Sequence, residues 1–391
     1  ITPMADKLGT LLTSIDGFPS DAAEQLAGLW ITTAEELIAA AEGDGVSGLA
    51  EYLGATTDET AALVARAQAA VPDFSPVRDV LDNFGTGALD EMEGADPDDE
   101  PPRASRATMP PSVNLIDKMP AVRNQRSRGT CVAHACAGVR EYLEGNTKSN
   151  LSEQFLYWAC KDRDKWPGEG TWINIAMDVL KDTGVCVEMI WPYNPDKIAG
   201  NEGQGPPPEN AAADAAEHRI KGSEKLQPRW VDTLKEQLAN GMPIAFSVPV
   251  YRYWLTEPAK LDGNIRVPLS SDPGIGGHAM IMVGYQDDVA VPGGGYFMVR
   301  NSWGEGWASE SDLAPGYARV PYKYIADNCR SAFVATGAAA QPEPVQPQPT
   351  PQPTPTPQPV QPKPQPEPPK PAPKPGNNSV IDWIRKLLGG K

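Results

Sequence analysis

The chain has 391 residues, of which 40% are hydrophobic, so we expect two or three domains with a sizeable core. Its 34 basic and 51 acidic side chains give a net charge of −17, which excludes nucleic acid as the expected partner, because phosphates are bound by clustered Lys and Arg. No stretch approaches the roughly 18 apolar residues of a membrane span, so a membrane partner is not expected either.

Residues 1–78 are predicted to form a small all-α domain of four or five short helices, because apolar side chains recur at helical spacing. Thr33 with Glu36 has the pattern of a capping box that opens a helix. Asp58 and Thr60 precede a further helical run. The segment DGFPSDAAEQLAGLWITTAEELIAAA resembles helix-hairpin-helix or SAM-like modules.

The charge of this first domain favours a protein partner. Some modules of that kind bind DNA, but residues 1–78 carry twelve acidic and only three basic side chains, which would repel phosphate. We therefore expect an interaction domain, with a passive helical appendage as the alternative.

Residues 79–111 are acidic and Pro-rich and are predicted to be an exposed linker.

Residues 112–337 are predicted to form an α+β domain, because candidate helices come first along the chain and candidate strands follow. The helix candidates have apolar positions at helical spacing, and the strand candidates are short apolar runs. They are, for helices, 132–143, 152–160 and 172–181, and for strands, 244–250, 279–285, 296–300 and 332–336.

A cysteine stands at the predicted start of the first of these helices. In the segment NQRSRGTCVAHACAGV, Gly129 permits a tight turn, Cys131 follows, and the helical pattern begins at once. A helix N-terminus and a nearby imidazole both favour the thiolate, which is the nucleophilic form. The amide of Gln125 and the backbone N–H of Cys131 could donate to an oxyanion.

Two later segments supply the partners that such a thiol needs. In GGHAMIMVGY, Gly276 and Gly277 allow a close backbone approach, and His278 opens an apolar strand as the candidate base. In YFMVRNSWGEGW, Asn301 ends a strand and its amide oxygen can accept from the imidazole, while Trp303 can shield that bond from water.

These three segments together resemble the papain family of cysteine peptidases, in its bacterial type, over residues 112–337. The resemblance implies a two-lobed fold with a helical lobe and an antiparallel β lobe. It also implies peptide hydrolysis through a thioester, without metal or cofactor. The implied roles are nucleophile for Cys131, general acid/base for His278, orienting residue for Asn301 and oxyanion donor for Gln125, with Trp303 and Gly277 in support.

The sequence departs from the family pattern beside the nucleophile. Arg128 stands where many secreted members have a disulfide cysteine, which favours a reducing compartment, and Arg126 replaces a common glycine. Cys136, Cys160, Cys186 and Cys329 could form two disulfides or remain thiols, and reduced thiols are the expectation.

The expected substrate is a peptide or protein, cleaved by an endopeptidase or an exopeptidase. Two other functions remain open, namely acyl transfer through the same thioester and an inactive peptidase-like binding module. Residues 1–111 occupy the place of a family inhibitory segment without its pattern, so the linker 79–111 is the candidate for any masking of the site.

The remaining histidines and the chain start are less informative. We expect His134 to be packed or hydrogen-bonded and His218 to be a solvated surface residue, and no Cys/His cluster has the spacing of metal ligands. No signal-peptide pattern opens the chain. The expected location is cytoplasmic, within a protein assembly or compartment, with secretion as an alternative.

The C-terminal residues separate into a spacer and a short helix. Proline at nearly every second position makes residues 338–376 a disordered, extended polyproline spacer. Residues 377–391 place apolar side chains on one helical face. Such a tethered helix is typical of a docking or targeting peptide that binds a partner or shell. A frayed tail and a membrane-surface helix are the alternatives.

Overall fold

A computed structural model describes residues 8–76, 84–89, 109–145 and 150–338. All of them belong to one compact unit, which spans Ile1–Pro342, and a second unit spans Glu343–Lys391. The predicted spacer and the predicted C-terminal helix fall on residues 338–391, of which only Ala338, the last residue of a strand, is described. Of the predicted linker, only residues 84–89 and 109–111 are described.

The N-terminal region consists of four short helices. The predicted capping box of Thr33 and Glu36 is present, with both of its reciprocal hydrogen bonds. A second capping box, of Thr56 and Glu59, opens the last helix, so Asp58 and Thr60 lie inside this helix and do not precede it. The resemblance to helix-hairpin-helix modules stays a prediction. The helices are α1 (Ser20–Ala27), α2 (Ala34–Ala40), α3 (Gly45–Leu53) and α4 (Thr57–Ala70).

This helical bundle completes its core with side chains from a loop far along the chain. Val267 and Leu269 are 4% and 5% exposed and belong to the same apolar cluster as Leu26, Leu37 and Leu49. The backbone N–H of Val267 donates to the carbonyl of Leu29 at 3.0 Å. The bundle is therefore packed against the rest of the unit rather than separated from it.

The helical lobe is built from three longer helices and one short one. Ser152 caps α6, since its hydroxyl accepts from the N–H of Phe155 at 3.0 Å. The predicted helices are present, with ends that differ by at most four residues. They are α5 (Cys131–Leu143), α6 (Glu153–Asp164), α7 (Ile173–Asp182) and the short α8 (Ala211–Ala215).

The second lobe is a seven-stranded sheet in which every neighbouring pair is antiparallel. Its order is β2-β7-β3-β4-β5-β6, and β1 pairs with the end of β4. The strands are β1 (Ser112–Asn114), β2 (Ile220–Lys225), β3 (Ile244–Tyr251), β4 (Gly274–Asp287), β5 (Gly295–Arg300), β6 (Tyr317–Pro321) and β7 (Ser331–Ala338). Helices α9 (Val231–Ala239), α10 (Ala259–Asp262) and α11 (Tyr322–Asn328) complete it. The predicted fold class, α+β with helical and antiparallel lobes, is confirmed.

One strand begins earlier than its apolar pattern predicted. Strand β4 starts at Gly274, so His278 lies inside it, opposite Val248 of β3, and does not open it. The glycines before His278 have no apolar side chain, which is why periodicity alone missed this part of the strand. None of the helices in the described ranges is long and apolar enough to cross a membrane.

Candidate active site

Cys131 is the first residue of helix α5, at the junction of the two lobes. Its side chain has no exposed surface, and the helix packs against β4. The backbone of Ala279, the residue after His278, lies close enough to the thiol to lower its pKa in part. The candidate nucleophile therefore lies at a helix N-terminus beside the strand that carries the candidate base.

His278 is held in one orientation by its neighbours. Its Nε2–H donates to Oδ1 of Asn301 at 2.7 Å, and the same oxygen accepts from the N–H of Ser302 at 2.7 Å. The ring of Trp303 stacks on the imidazole with centroids 4.5 Å apart. Within the described residues, Nδ1 of His278 has no hydrogen-bond partner. This nitrogen is the one left to exchange a proton with a thiol.

Gln125 is tied to the same loop as Asn301. Its Oε1 accepts from the hydroxyl of Ser302 at 2.6 Å, which fixes which end of the amide carries the donors. Its Nε2 donates to the carbonyl of Arg128 at 2.9 Å and to the carbonyl of Gly85 at 3.0 Å. The structure thus brings Cys131, His278, Asn301 and Gln125 to one region.

The carbonyl of Gly85 belongs to residues 84–89, which we call the cleft segment. It also accepts from Nε1 of Trp303 at 3.1 Å, and the N–H of Gly85 donates to the carbonyl of Arg126 at 2.7 Å. A carbonyl of the chain itself therefore occupies the donor that was predicted to serve an oxyanion.

The other half of the cleft segment is bound on both sides by backbone. The N–H groups of Gly87 and Ala88 donate to the carbonyl of Gly277 at 3.0 and 3.1 Å. The N–H of Leu89 donates to the carbonyl of Thr171 at 3.0 Å, while the N–H of Thr171 donates to the carbonyl of Gly87 at 3.0 Å. Ala88 and Thr171 form a parallel bridge, so the segment acts as a short strand between the two lobes.

Two glycines allow the cleft segment to lie this close. A Cβ built on Gly85 would overlap the carbonyl oxygen of Arg128, and a Cβ built on Gly87 would overlap that of Gly129. Both overlaps are with backbone, which cannot rotate away as a flexible side chain would. A side chain at either position would push the segment off the floor of the cleft.

Burial keeps the candidate nucleophile and the candidate base neutral in this closed arrangement. Cys131 and His278 have no exposed surface. Burial raises the pKa of the Cys131 thiol to about 11, although nearby backbone N–H groups lower it in part. Burial also lowers the pKa of His278 to about 4, against the hydrogen bond to Asn301. The thiolate expected from the sequence is therefore not the form that this closed cleft favours.

The other two histidines take no part in this arrangement. His134 is buried, and its Nδ1 lies 3.0 Å from the carbonyl of Thr130, in agreement with a packed role. His218 was expected to be solvated, but its Nδ1 lies 2.5 Å from the carboxylate of Glu144, which raises its pKa. No group of three or more His, Cys, Asp or Glu side chains in the described residues could hold a metal ion.

Two features near the candidate oxyanion donors were not predicted from the sequence: a tyrosine hydrogen bond and a left-handed backbone residue. Tyr193 donates its hydroxyl hydrogen to the carbonyl of Gln125 at 2.9 Å, across 68 residues of chain. Arg126 has φ of 55°, a left-handed conformation, which accounts for the glycine common at this place. Only the glycines of the segment FGTGAL hinted at a close backbone approach.

Comparisons with known proteins agree with this architecture. Residues 109–334 match the family described as papain family cysteine protease. An uncharacterized peptidase C1-like protein of Acanthamoeba polyphaga mimivirus is 27% identical over 56% of this chain and 68% of its own length. Cathepsin L 1 of Paramecium tetraurelia is 27% identical over 50% of this chain, which spans 55% of that protein. The structure of xylellain, a cysteine protease from Xylella fastidiosa, superposes with a TM-score of 0.55 at 26% identity, over 67% of this chain and 100% of its own.

Proposed function

Because this chain belongs to the papain family of cysteine proteases, we propose that it hydrolyses peptide bonds with Cys131 as nucleophile and His278 as general acid/base. Asn301 orients the imidazole, and Gln125 donates to the oxyanion. The observation that carries these roles is the arrangement of His278. Its Nε2–H is held by Asn301 at 2.7 Å while its Nδ1 is left without a partner in the described residues.

The reaction follows from the chemistry of these groups. The thiol passes its proton to Nδ1 of His278, and the sulfur attacks the scissile carbonyl. The oxyanion accepts from Nε2 of Gln125 and the backbone N–H of Cys131. The imidazolium then protonates the leaving amine, and water, deprotonated by His278, hydrolyses the thioester. Each bond broken has a proton source or acceptor within the chain.

The chain as described is in a self-blocked state. The carbonyl of Gly85 occupies the Gln125 donor, and the backbone of residues 87–89 bridges the two lobes beside the thiol. A substrate carbonyl cannot reach the same donor until the cleft segment leaves. We propose that departure of residues 84–89 is the step that makes the protease active, with the predicted linker as the mask.

The first experiment tests the nucleophile. An epoxide inactivator of cysteine proteases should modify Cys131 in the opened chain, and the same chain should release product from a peptide library. Cys131→Ala should abolish both. A native chain with an opened cleft that is never modified would favour the inactive binding module. Modification together with amine incorporation in place of cleavage would favour acyl transfer.

The second experiment opens the cleft by a single substitution. In Gly87→Ala, the added Cβ overlaps the Gly129 carbonyl, so the segment should be expelled and peptide hydrolysis should rise at least tenfold over the native chain. Gly274→Ala is the matched control, because a Cβ there meets nothing within 4 Å. Equal rates for Gly87→Ala, Gly274→Ala and the native chain would reject the masking role.

The tail remains a separate proposal that no described residue tests. We propose that residues 377–391 bind a protein partner or shell, because their sequence places apolar side chains on one helical face after a long stiff spacer. Deleting 377–391 should abolish co-purification with that partner while leaving peptide hydrolysis unchanged. Unaltered co-purification would reject the proposal.

A further inference from the structure

Arg128 has an unusual environment for a guanidinium so close to the nucleophile. Its side chain is only 1% exposed. Its Nη1 donates to Oε1 of Gln154 at 2.8 Å and to the carbonyl of Asn194 at 2.6 Å, and its Nη2 donates to the carbonyl of Glu202 at 3.2 Å. A buried charge is costly unless it is hydrogen-bonded, and here three directed bonds use three of the five N–H donors of the guanidinium.

Two tyrosine rings cover the faces of this guanidinium. The carbon Cζ of Arg128 lies 5.3 Å from the ring centroid of Tyr157 and 5.2 Å from that of Tyr193. Cation–π attraction of this kind is strongest when the cation is desolvated, as it is here. Arg128 therefore fixes where the Tyr193 ring can lie.

Tyr193 in turn joins the two sides of the proposed oxyanion site. Its hydroxyl donates to the carbonyl of Gln125 at 2.9 Å. Because that uses its only hydrogen, the hydroxyl of Thr130, 2.8 Å away, donates to the Tyr193 oxygen. Thr130 directly precedes Cys131, and the Arg128 carbonyl accepts from both Nε2 of Gln125 and the N–H of Thr130. One phenol thus connects both donors of the proposed oxyanion site.

We infer that Tyr193 is a positioning residue for hydrolysis, which sets the distance between the Gln125 amide and the Cys131 backbone N–H, and that Arg128 holds Tyr193 in place. The inference deepens the proposed function and rests on it. All five cysteines are free thiols, so no disulfide contributes to the rigidity of this region. A donor displaced by about 1 Å can cost on the order of 100-fold in rate, so loss of one phenol oxygen should be measurable.

The decisive variant is Tyr193→Phe, which keeps the ring over Arg128 and removes only the hydroxyl. In the chain opened by Gly87→Ala, we expect kcat for a peptide to fall about 10- to 100-fold with KM within about twofold. Alkylation of Cys131 by iodoacetamide should stay within about twofold, because that displacement forms no oxyanion. An alkylation rate that changes by more than twofold would indicate a general loosening of the fold and would overturn the inference.

The matched control is Tyr142→Phe, near the other end of helix α5. Its hydroxyl donates to the carbonyl of Gly241 at 2.8 Å, away from the proposed oxyanion site, so kcat should not change. Equal kcat for Tyr193→Phe and Tyr142→Phe would overturn the inference. An opened parent that hydrolyses nothing would instead count against the proposed function.

A second measurement does not depend on turnover. Hydrogen–deuterium exchange in the peptide 122–132 should become at least about tenfold faster in Tyr193→Phe, and unchanged in Tyr142→Phe. Arg128→Lys keeps the charge but loses the planar fork, so it should speed exchange in the same peptide. Unchanged exchange in both Tyr193→Phe and Arg128→Lys would overturn the inference, whatever the activity of the parent.

Discussion

Asn301 gives His278 its orientation through a single side-chain oxygen. That oxygen accepts from Nε2 of His278 and from the N–H of Ser302, both at 2.7 Å. Without it, the imidazole can rotate or present the wrong tautomer to the thiol. We therefore expect the Asn301 amide to lower the activation free energy by about as much as one hydrogen bond to a group that becomes charged, roughly 1.5–3 kcal/mol.

The substitution Asn301→Ala tests this value. In the chain opened by Gly87→Ala, we expect kcat to fall about 10- to 100-fold, since that range corresponds to roughly 1.4–2.7 kcal/mol. KM should stay within about twofold. Asn328→Ala, which removes an amide that donates to the Tyr324 carbonyl within helix α11, serves as the control. A kcat that is unchanged in Asn301→Ala would remove Asn301 from the site.

The burial of Cys131 predicts a specific pH dependence of alkylation. With a pKa of about 11, only ~10⁻⁴ of the thiol is thiolate at pH 7. The rate of iodoacetamide labelling of the native chain should therefore rise about tenfold per pH unit from pH 7 to pH 10. In Gly87→Ala, labelling at pH 7 should be at least 100-fold faster. Mass spectrometry of the peptide that contains Cys131 measures both, and identical profiles would contradict a closed cleft.

The burial of His278 makes the stability of the closed cleft depend on pH below neutrality. Its pKa is lowered to about 4 in the closed cleft, whereas an exposed imidazole has 6.5. An open form therefore binds a proton on His278 more readily than the closed form does. The free energy that favours the closed form is greatest above pH 6.5 and decreases as the pH falls towards 4. We expect the amides of Gly87 and Ala88 to lose exchange protection between pH 7 and pH 4.5, after correction for intrinsic rates. Amides in the middle of α4 serve as the reference.

The side chains of the site differ in how far sequence alone could predict them. Cys131, His278 and Asn301 each stand in a local pattern that their chemistry requires, so short segments pointed to them. Tyr193 carries no such pattern, because its role depends on a contact 68 residues away in the chain. The Gly85 carbonyl on Gln125, 40 residues away, is likewise a matter of tertiary packing.

At the scale of elements, the loop that contains Val267 and Leu269 joins the helical bundle to the sheet lobe. Both side chains are at most 5% exposed and lie among the leucines of the bundle. Since the bundle core closes only with these two residues, its stability should depend on the loop as much as on its own helices.

Leu269→Ala measures this dependence. Removing the buried side chain should cost about 2 kcal/mol or more, which lowers the unfolding midpoint by about 3 °C for a unit of this size. Val289→Ala removes a side chain that is 98% exposed and should leave the midpoint unchanged. Two separate transitions in the native chain, with only one shifted, would mean that the bundle folds independently of the loop.

Sequence patterns predicted the longer elements well and the short ones poorly. Helices α5, α6 and α7 have clear apolar periodicity, and most residues of β3 and β5 are apolar. Strands β1, β2 and β6 have three to six residues and were not predicted, because such short runs carry little periodic signal. The missed β2 includes Gly222, Glu224 and two lysines, and it is a strand because β7 pairs with it.

At the scale of the whole molecule, all five cysteines are buried free thiols. A thiol reagent such as dithionitrobenzoate should find no fast-reacting thiol in the native chain, one in Gly87→Ala and five in denaturant without reductant. The unfolding midpoint should not change when a reductant is added. Fewer than five thiols in denaturant would show that a disulfide forms after all.

The proposed mask, residues 84–89, belongs to the same polypeptide as the cleft that it occupies. A mask of this kind faces its site at an effective concentration set by the chain, so diluting the protein does not release it. A soluble inhibitor or a substrate, in contrast, competes according to its own abundance. If opening is intramolecular, the onset of activity should follow the rate at which individual molecules open, and this rate should not depend on the protein concentration.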